Sequence, residues 1–152
     1  MKFPASMRRL LRLRESLERQ EEMKVALAAA RVGAASFGLD AARRQSRGEQ
    51  DALQAALRER EAVDGAELQV SGLQREAEAE RERQLRDHLA RLESAHALQV
   101  EILLARRRER RTLDILEEHC RRAQRRQQER REQAALDEAF LLTRPPGGGS
   151  DH

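Results

Sequence analysis

Residues 5–144 contain no proline; Pro4, Pro145 and Pro146 stand at the two ends of the chain. Proline removes a helix hydrogen bond and clashes with the preceding turn, so a stretch of this length without one can be helical from end to end. Ala, Leu, Arg, Glu and Gln dominate it. These are strong helix formers, and their abundance points to long helices or a coiled coil. A thick globular core lacks material. Aromatic residues make up 2% of the chain, with no Trp or Tyr and only Phe3, Phe37 and Phe140, whereas large aromatic side chains supply much of the area an ordinary core buries.

The apolar spacing agrees. Val25, Ala28, Val32, Ala35, Leu39 and Ala42 recur at alternating steps of four and three. The row continues through Ser46 and Glu49 to Leu53 and Ala56, a 3.5-residue period that marks a helix packed along another helix. Leu10, Leu13 and Leu17 have similar spacing but fall out of that register, which predicts a stutter. Gly33, Gly38 and Gly48 each cost roughly 1 kcal/mol relative to Ala and predict the softest part of the first helix. In the second half, Leu85, Leu89, Leu92, His96, Gln99 and Leu103 keep the period. Leu113, Leu116, Cys120, Ala123, Gln127 and Ala134 then predict a shifted seam.

Between the two patterns lies Val63-Asp64-Gly65, with a second glycine at Gly72. Asp-Gly is a turn signal, so the expected fold is all-α: a long antiparallel two-helix coiled-coil hairpin over residues 1–142. Helix 1 is placed at about 5–62, the turn at 63–72 and helix 2 at 73–142. A flexible tail follows at 143–152, rich in Pro and Gly. A single unbroken helix is the rival, and it would leave the seam bare.

Charge is unevenly spread along a chain of net charge +3. Residues 1–20 carry six basic and two acidic side chains, and residues 106–132 carry eleven Arg against six acids. Residues 67–101 carry five Arg against eight acids. An antiparallel fold would bring the two basic blocks together and leave the turn end neutral to acidic.

Catalytic and metal motifs are missing from the sequence. His119 and Cys120 are adjacent and so point about 100° apart on a helix. His88 and His96 lack the His-Glu-x-x-His arrangement of a zinc helix. Gly147, Gly148 and Gly149 precede no helix that could hold a phosphate. A two-helix protein offers no pocket that excludes water, so the chain is expected to be no enzyme and to need no cofactor. The Arg clusters are interspersed with Glu and lack stacking aromatics, so no nucleic-acid partner is expected. One cysteine allows no internal disulfide and fits a reducing compartment. The N-terminus has no uninterrupted apolar run, and Ile102 to Ala105 is too short to span a bilayer. A soluble, cytosolic protein without direct membrane insertion is expected.

Phe3, Met7 and the run Leu10-Leu11-Arg12-Leu13-Arg14-Glu15 resemble the opening of the flagellar export protein FliJ family. Ala66-Glu67-Leu68-Gln69 looks like the family's hairpin region. Leu113-Asp114-Ile115-Leu116-Glu117 and Arg131-Glu132-Gln133-Ala134-Ala135-Leu136-Asp137-Glu138 are similar to its C-terminal helix. The resemblance spans about residues 3–142. It implies a type III secretion central stalk, like the SctO/YscO proteins of virulence systems, that links a hexameric export ATPase to the cytoplasmic ring of the export gate. Export chaperones are further candidate partners. The expected location is the cytoplasm, peripherally at the inner face of the cell membrane through the export apparatus. On this reading Arg8, Arg9, Arg12, Arg14, Arg121, Arg122, Arg125 and Arg126 would meet the ATPase, and Leu68, Val70 and Leu73 the gate. The alternatives are the same stalk in a virulence injectisome and a homodimeric coiled-coil scaffold or nucleic-acid tether.

Overall fold

The computed structural model describes residues 3–59 and 64–143. They form two helices, α1 (Ala5–Glu59) of 55 residues and α2 (Gly65–Thr143) of 79 residues. No strand occurs among the described residues. Both starts have local causes. The Pro4 carbonyl accepts the Met7 and Arg8 amides at 3.1 Å each, and proline tolerates this position because the first amides of a helix have no intrahelical acceptor. Asp64 caps α2: its Oδ1 accepts the Ala66 amide at 3.2 Å and its carbonyl accepts the Leu68 amide at 3.2 Å.

Asp64 therefore corrects the expected turn. Residues 65–72 are helical, and α2 begins eight positions earlier than the Asp-Gly signal suggested. Asp64 with Glu67 three residues on is the sequence pattern of a helix start, and Gly65 and Gly72 are accommodated inside the helix. Val63 and the last three residues assigned to helix 1 lie outside the described residues. So does the tail from residue 144, whereas Thr143 is the last residue of α2.

The two helices pack against each other in two compact units. One joins Met1–Leu17 to Arg106–His152, and the other is Glu18–Ala105. In the latter, partner numbers in α2 fall as those in α1 rise: Glu21 accepts a hydrogen bond from Gln99, Arg43 donates to Glu82 at 2.9 Å, and Ser46 donates to Glu78 at 3.0 Å. That order is antiparallel packing. Leu39 and Leu103 are its most buried apolar residues, at 4% and 6% exposure. In the terminal unit Phe3, Leu11 and Cys120 are buried, and Arg14 reaches Glu109.

The inward positions of α1 are Met7, Leu11, Arg14, Glu18, Glu21 and Val25, then on through Leu39 and Ser46 to Leu53. From Met7 to Ser46 their steps of four and three do not break. The expected stutter is absent: Leu10 and Leu17 flank the seam, Leu13 is 55% exposed, and Glu18 and Glu21 occupy the seam at 7% exposure each. Of the shifted seam expected in α2, Leu113, Cys120 and Ala123 are covered. Inward positions continue from Leu103 through Arg106, Arg110, Leu113 and Glu117 to Cys120. Leu116 is exposed, and so are Gln127 and Ala134. The contact holds one register, and charged residues fill it where no apolar residue falls in place. Glu21 is satisfied there by Gln99 and by Lys24 at 3.3 Å. In the seam, Glu49 and Ala56 are exposed rather than covered.

Beyond Ala123 every described residue of α2 is exposed. This overhang of residues 124–143 is about 30 Å long at 1.5 Å per residue. It carries Leu136, Phe140, Leu141 and Leu142 on its surface.

By length and composition, α1 is one helix that could cross a membrane. Its apolar stretch is residues 25–42, where Arg31 and Asp40 are the only charges. A search for unbroken apolar runs passes over it because those two charges divide it.

Candidate functional site

The eight candidate arginines all fall in the terminal unit, although Arg8, Arg9, Arg12 and Arg14 are separated in sequence from Arg121, Arg122, Arg125 and Arg126 by about a hundred residues. Helix antiparallelism brings them there. By sequence this unit holds 17 basic and 10 acidic side chains, net +7; the other holds 13 and 17, net −4. The two sum to the +3 of the chain.

The arginines differ in their state. Arg14 sits in the seam and pairs with Glu109, which also meets Arg106 at 3.5 Å. Arg121 pairs with Glu117 at 2.8 Å and Arg122 with Glu118 at 2.6 Å, each one helical turn apart. Their guanidinium groups are partly neutralised along the helix. Arg8, Arg9, Arg12, Arg125 and Arg126 are exposed and make no ion pair among the described residues. They form the part of the cluster best able to meet an acidic partner. Asp114, Glu117, Glu118, Arg121, Arg122 and Arg125 line one shallow polar depression on α2.

The second candidate surface lies at the start of α2. Leu53, Ala56 and Leu57 of α1 and Ala66, Glu67, Leu68, Val70 and Ser71 of α2 line an open groove of about 480 Å³. Leu68 and Val70 are 51% and 59% exposed. Leu73 is 62% exposed and lies outside this lining. The groove exists because residues 65–72 are helical, so Leu53 and Leu57 face a helix rather than a loop. Leu57 escaped the sequence reading, which ended the seam at Ala56; the Asp64…Glu67 cap pattern would have revealed the opposite wall.

Adjacent to this groove, Glu49 and Glu78 share a hydrogen bond. That bond, together with their mutual repulsion, holds the Glu49 carboxyl above its usual 4.5, while a bond from Gln45 opposes the shift. Glu82 is held below 4.5, chiefly by the hydrogen bond from Arg43. No group of three or more His, Cys, Asp or Glu side chains able to hold a metal ion occurs among the described residues.

No protein-family model matches the chain, and neither a curated protein nor a solved structure does.

Proposed function

We propose that this chain is the stalk of a bacterial flagellar type III export apparatus, linking the export ATPase ring to the export gate. One observation carries the reading: basic residues from both ends of the sequence belong to one unit of net charge +7, and the unit containing the start of α2 is acidic overall. A coupling protein needs two dissimilar docking surfaces on a scaffold that undergoes no chemistry. An antiparallel two-helix coiled coil supplies such a scaffold. The resemblance of residues 3–15 and 131–138 to the FliJ family supports the assignment and suggests the partners. In it the arginine-rich terminal unit meets the ATPase, and the groove with Leu68 and Val70 meets the gate, with Leu73 exposed nearby.

Capture of the cognate hexameric export ATPase by the full-length chain tests the reading. The triple change Arg8→Glu, Arg9→Glu and Arg12→Glu is expected to abolish capture without loss of helicity, since all three side chains are exposed. Arg14 is left intact because it packs in the seam. Undiminished capture would remove the basic cluster from the contact, and absence of capture by the parent chain would remove the stalk reading.

A further inference from the structure

Residues 25–42 of α1 carry apolar side chains on more than one face, with Arg31 and Asp40 the only charges, yet α2 covers only one side. The covered side is Val25, Ala28, Val32, Ala35 and Leu39. Two positions further on at each step, about 200° around the helix, runs a second row: Met23, Leu27, Ala30, Ala34, Phe37 and Ala41. It has the same steps of four and three. Met23, Leu27 and Phe37 are 73%, 52% and 69% exposed, and Ala30 and Ala34 are exposed between them. All six belong to the Glu18–Ala105 unit. Single exposed apolar residues need no explanation, but a row at coiled-coil spacing does.

We propose that this outer row of α1 packs antiparallel against the same row of a second copy of this chain. A two-fold interface places one patch against itself, so the patch must match itself when reversed. Leu27, Ala30, Ala34 and Phe37 do so: large, small, small, large, spaced symmetrically about the level of residue 32. With the two-fold axis there, Leu27 meets Phe37 of the second copy and Ala30 meets its Ala34. Gly33 lies beside the axis. A Cβ at Gly33 would meet nothing within 4 Å in its own chain, as is also true at Gly38, Gly48, Gly65 and Gly72, so the space beside the axis is open to a second copy. Arg31 is the only charge within residues 25–39, and it approaches its own copy across the axis. A parallel pairing would instead set Arg19 of each copy beside Lys24 of the other on both flanks. Apolar contact flanked by a like-charge pair should tighten as salt is added, unlike the ATPase contact. The pairing uses neither the arginine cluster nor the groove, so it stands or falls separately from the stalk reading.

Sedimentation equilibrium of the full-length chain tests it. A reversible dimer is expected, with a dissociation constant that falls with added salt. Phe37→Glu and Leu27→Glu should each raise that constant by at least about tenfold, with unchanged helicity because both sites are exposed. Mixing an Ala30→Cys variant with an Ala34→Cys variant should give the mixed disulfide in preference to either homodimeric one; the native Cys120 is buried. A monomer at all concentrations, a dimer insensitive to both charge substitutions, or preferential homodimeric disulfides would overturn the proposal.

Discussion

Glu78 and Glu82 stand one turn apart on α2, and opposite neighbours set their roles. Glu78 shares a hydrogen bond with Glu49, whose carboxyl is raised, whereas Glu82 takes one from Arg43 and is lowered. A raised carboxyl stabilises the fold fully below the unfolded value of 4.5, and that contribution is lost as pH rises through the folded value. At neutral pH the two carboxylates repel. Glu49→Gln should therefore raise the melting temperature more at pH 7 than at pH 3; equal effects at the two would show that the pair is inert. The sign is reversed for Glu82. Its contribution is present above 4.5 and lost as pH falls through its folded value, so Arg43→Ala should lower the melting temperature more at pH 7 than at pH 3. The register is tested at the same scale. Leu39 is 4% exposed and Leu13 is 55% exposed. Leu39→Asp buries a charge in the seam and should cost about 3 kcal/mol or more, while Leu13→Asp should stay within about 0.5 kcal/mol. Urea midpoints of the two variants decide between this register and one with Leu13 inside.

Within the helices, ends and overhangs matter more than interior propensity. Asp64 satisfies amides at the start of α2 with both its side chain and its carbonyl. Asp64→Ala should cost about 1 kcal/mol and speed amide exchange at residues 66–68; unaltered exchange there would mean the cap carries no stability. Residues 124–143 extend α2 past its last covered turn. A chain ending at Ala123 should keep the urea midpoint of the full chain within about 0.5 kcal/mol, because no buried contact is removed. A larger loss would show that the overhang is covered by something in solution.

Across the whole molecule, antiparallel chain order converts a modest net charge into two unlike units of +7 and −4. Neither value is visible in the total. Opposed charges on exposed side chains act mainly on encounter and partner choice, and they are screened beyond about 10 Å at 0.1 M salt. If the basic unit docks on the export ATPase, capture should weaken steadily as ionic strength is raised. Capture indifferent to salt would point instead to the exposed apolar residues of the overhang as the contact. Helix spacing leaves two apolar regions uncovered on the other unit, the outer row of α1 and the groove by Leu68. Each is available to a different partner.

Proline-free length, helix-forming composition and the apolar heptads at residues 25–42 and 85–103 were sufficient to establish an all-α, two-helix coiled coil. Those signals are local, and a helix expresses them without help. Paired glutamate and arginine one turn apart, as at Glu117 and Arg121, were legible for the same reason. The candidate arginines could also be chosen by charge alone. Only tertiary structure decided that Arg14, Glu18, Glu21, Arg106, Arg110 and Glu117 occupy inward positions, because polar side chains turn inward where partners such as Glu109 for Arg14 and Gln99 for Glu21 meet them. Only tertiary structure separated the seam-bound Arg14 from the exposed Arg8, Arg9 and Arg12. It likewise resolved Asp64-Gly65 as a helix start, since Asp-Gly serves turns and caps equally and the packing of residues 66–71 beside Leu53 and Leu57 selects between them.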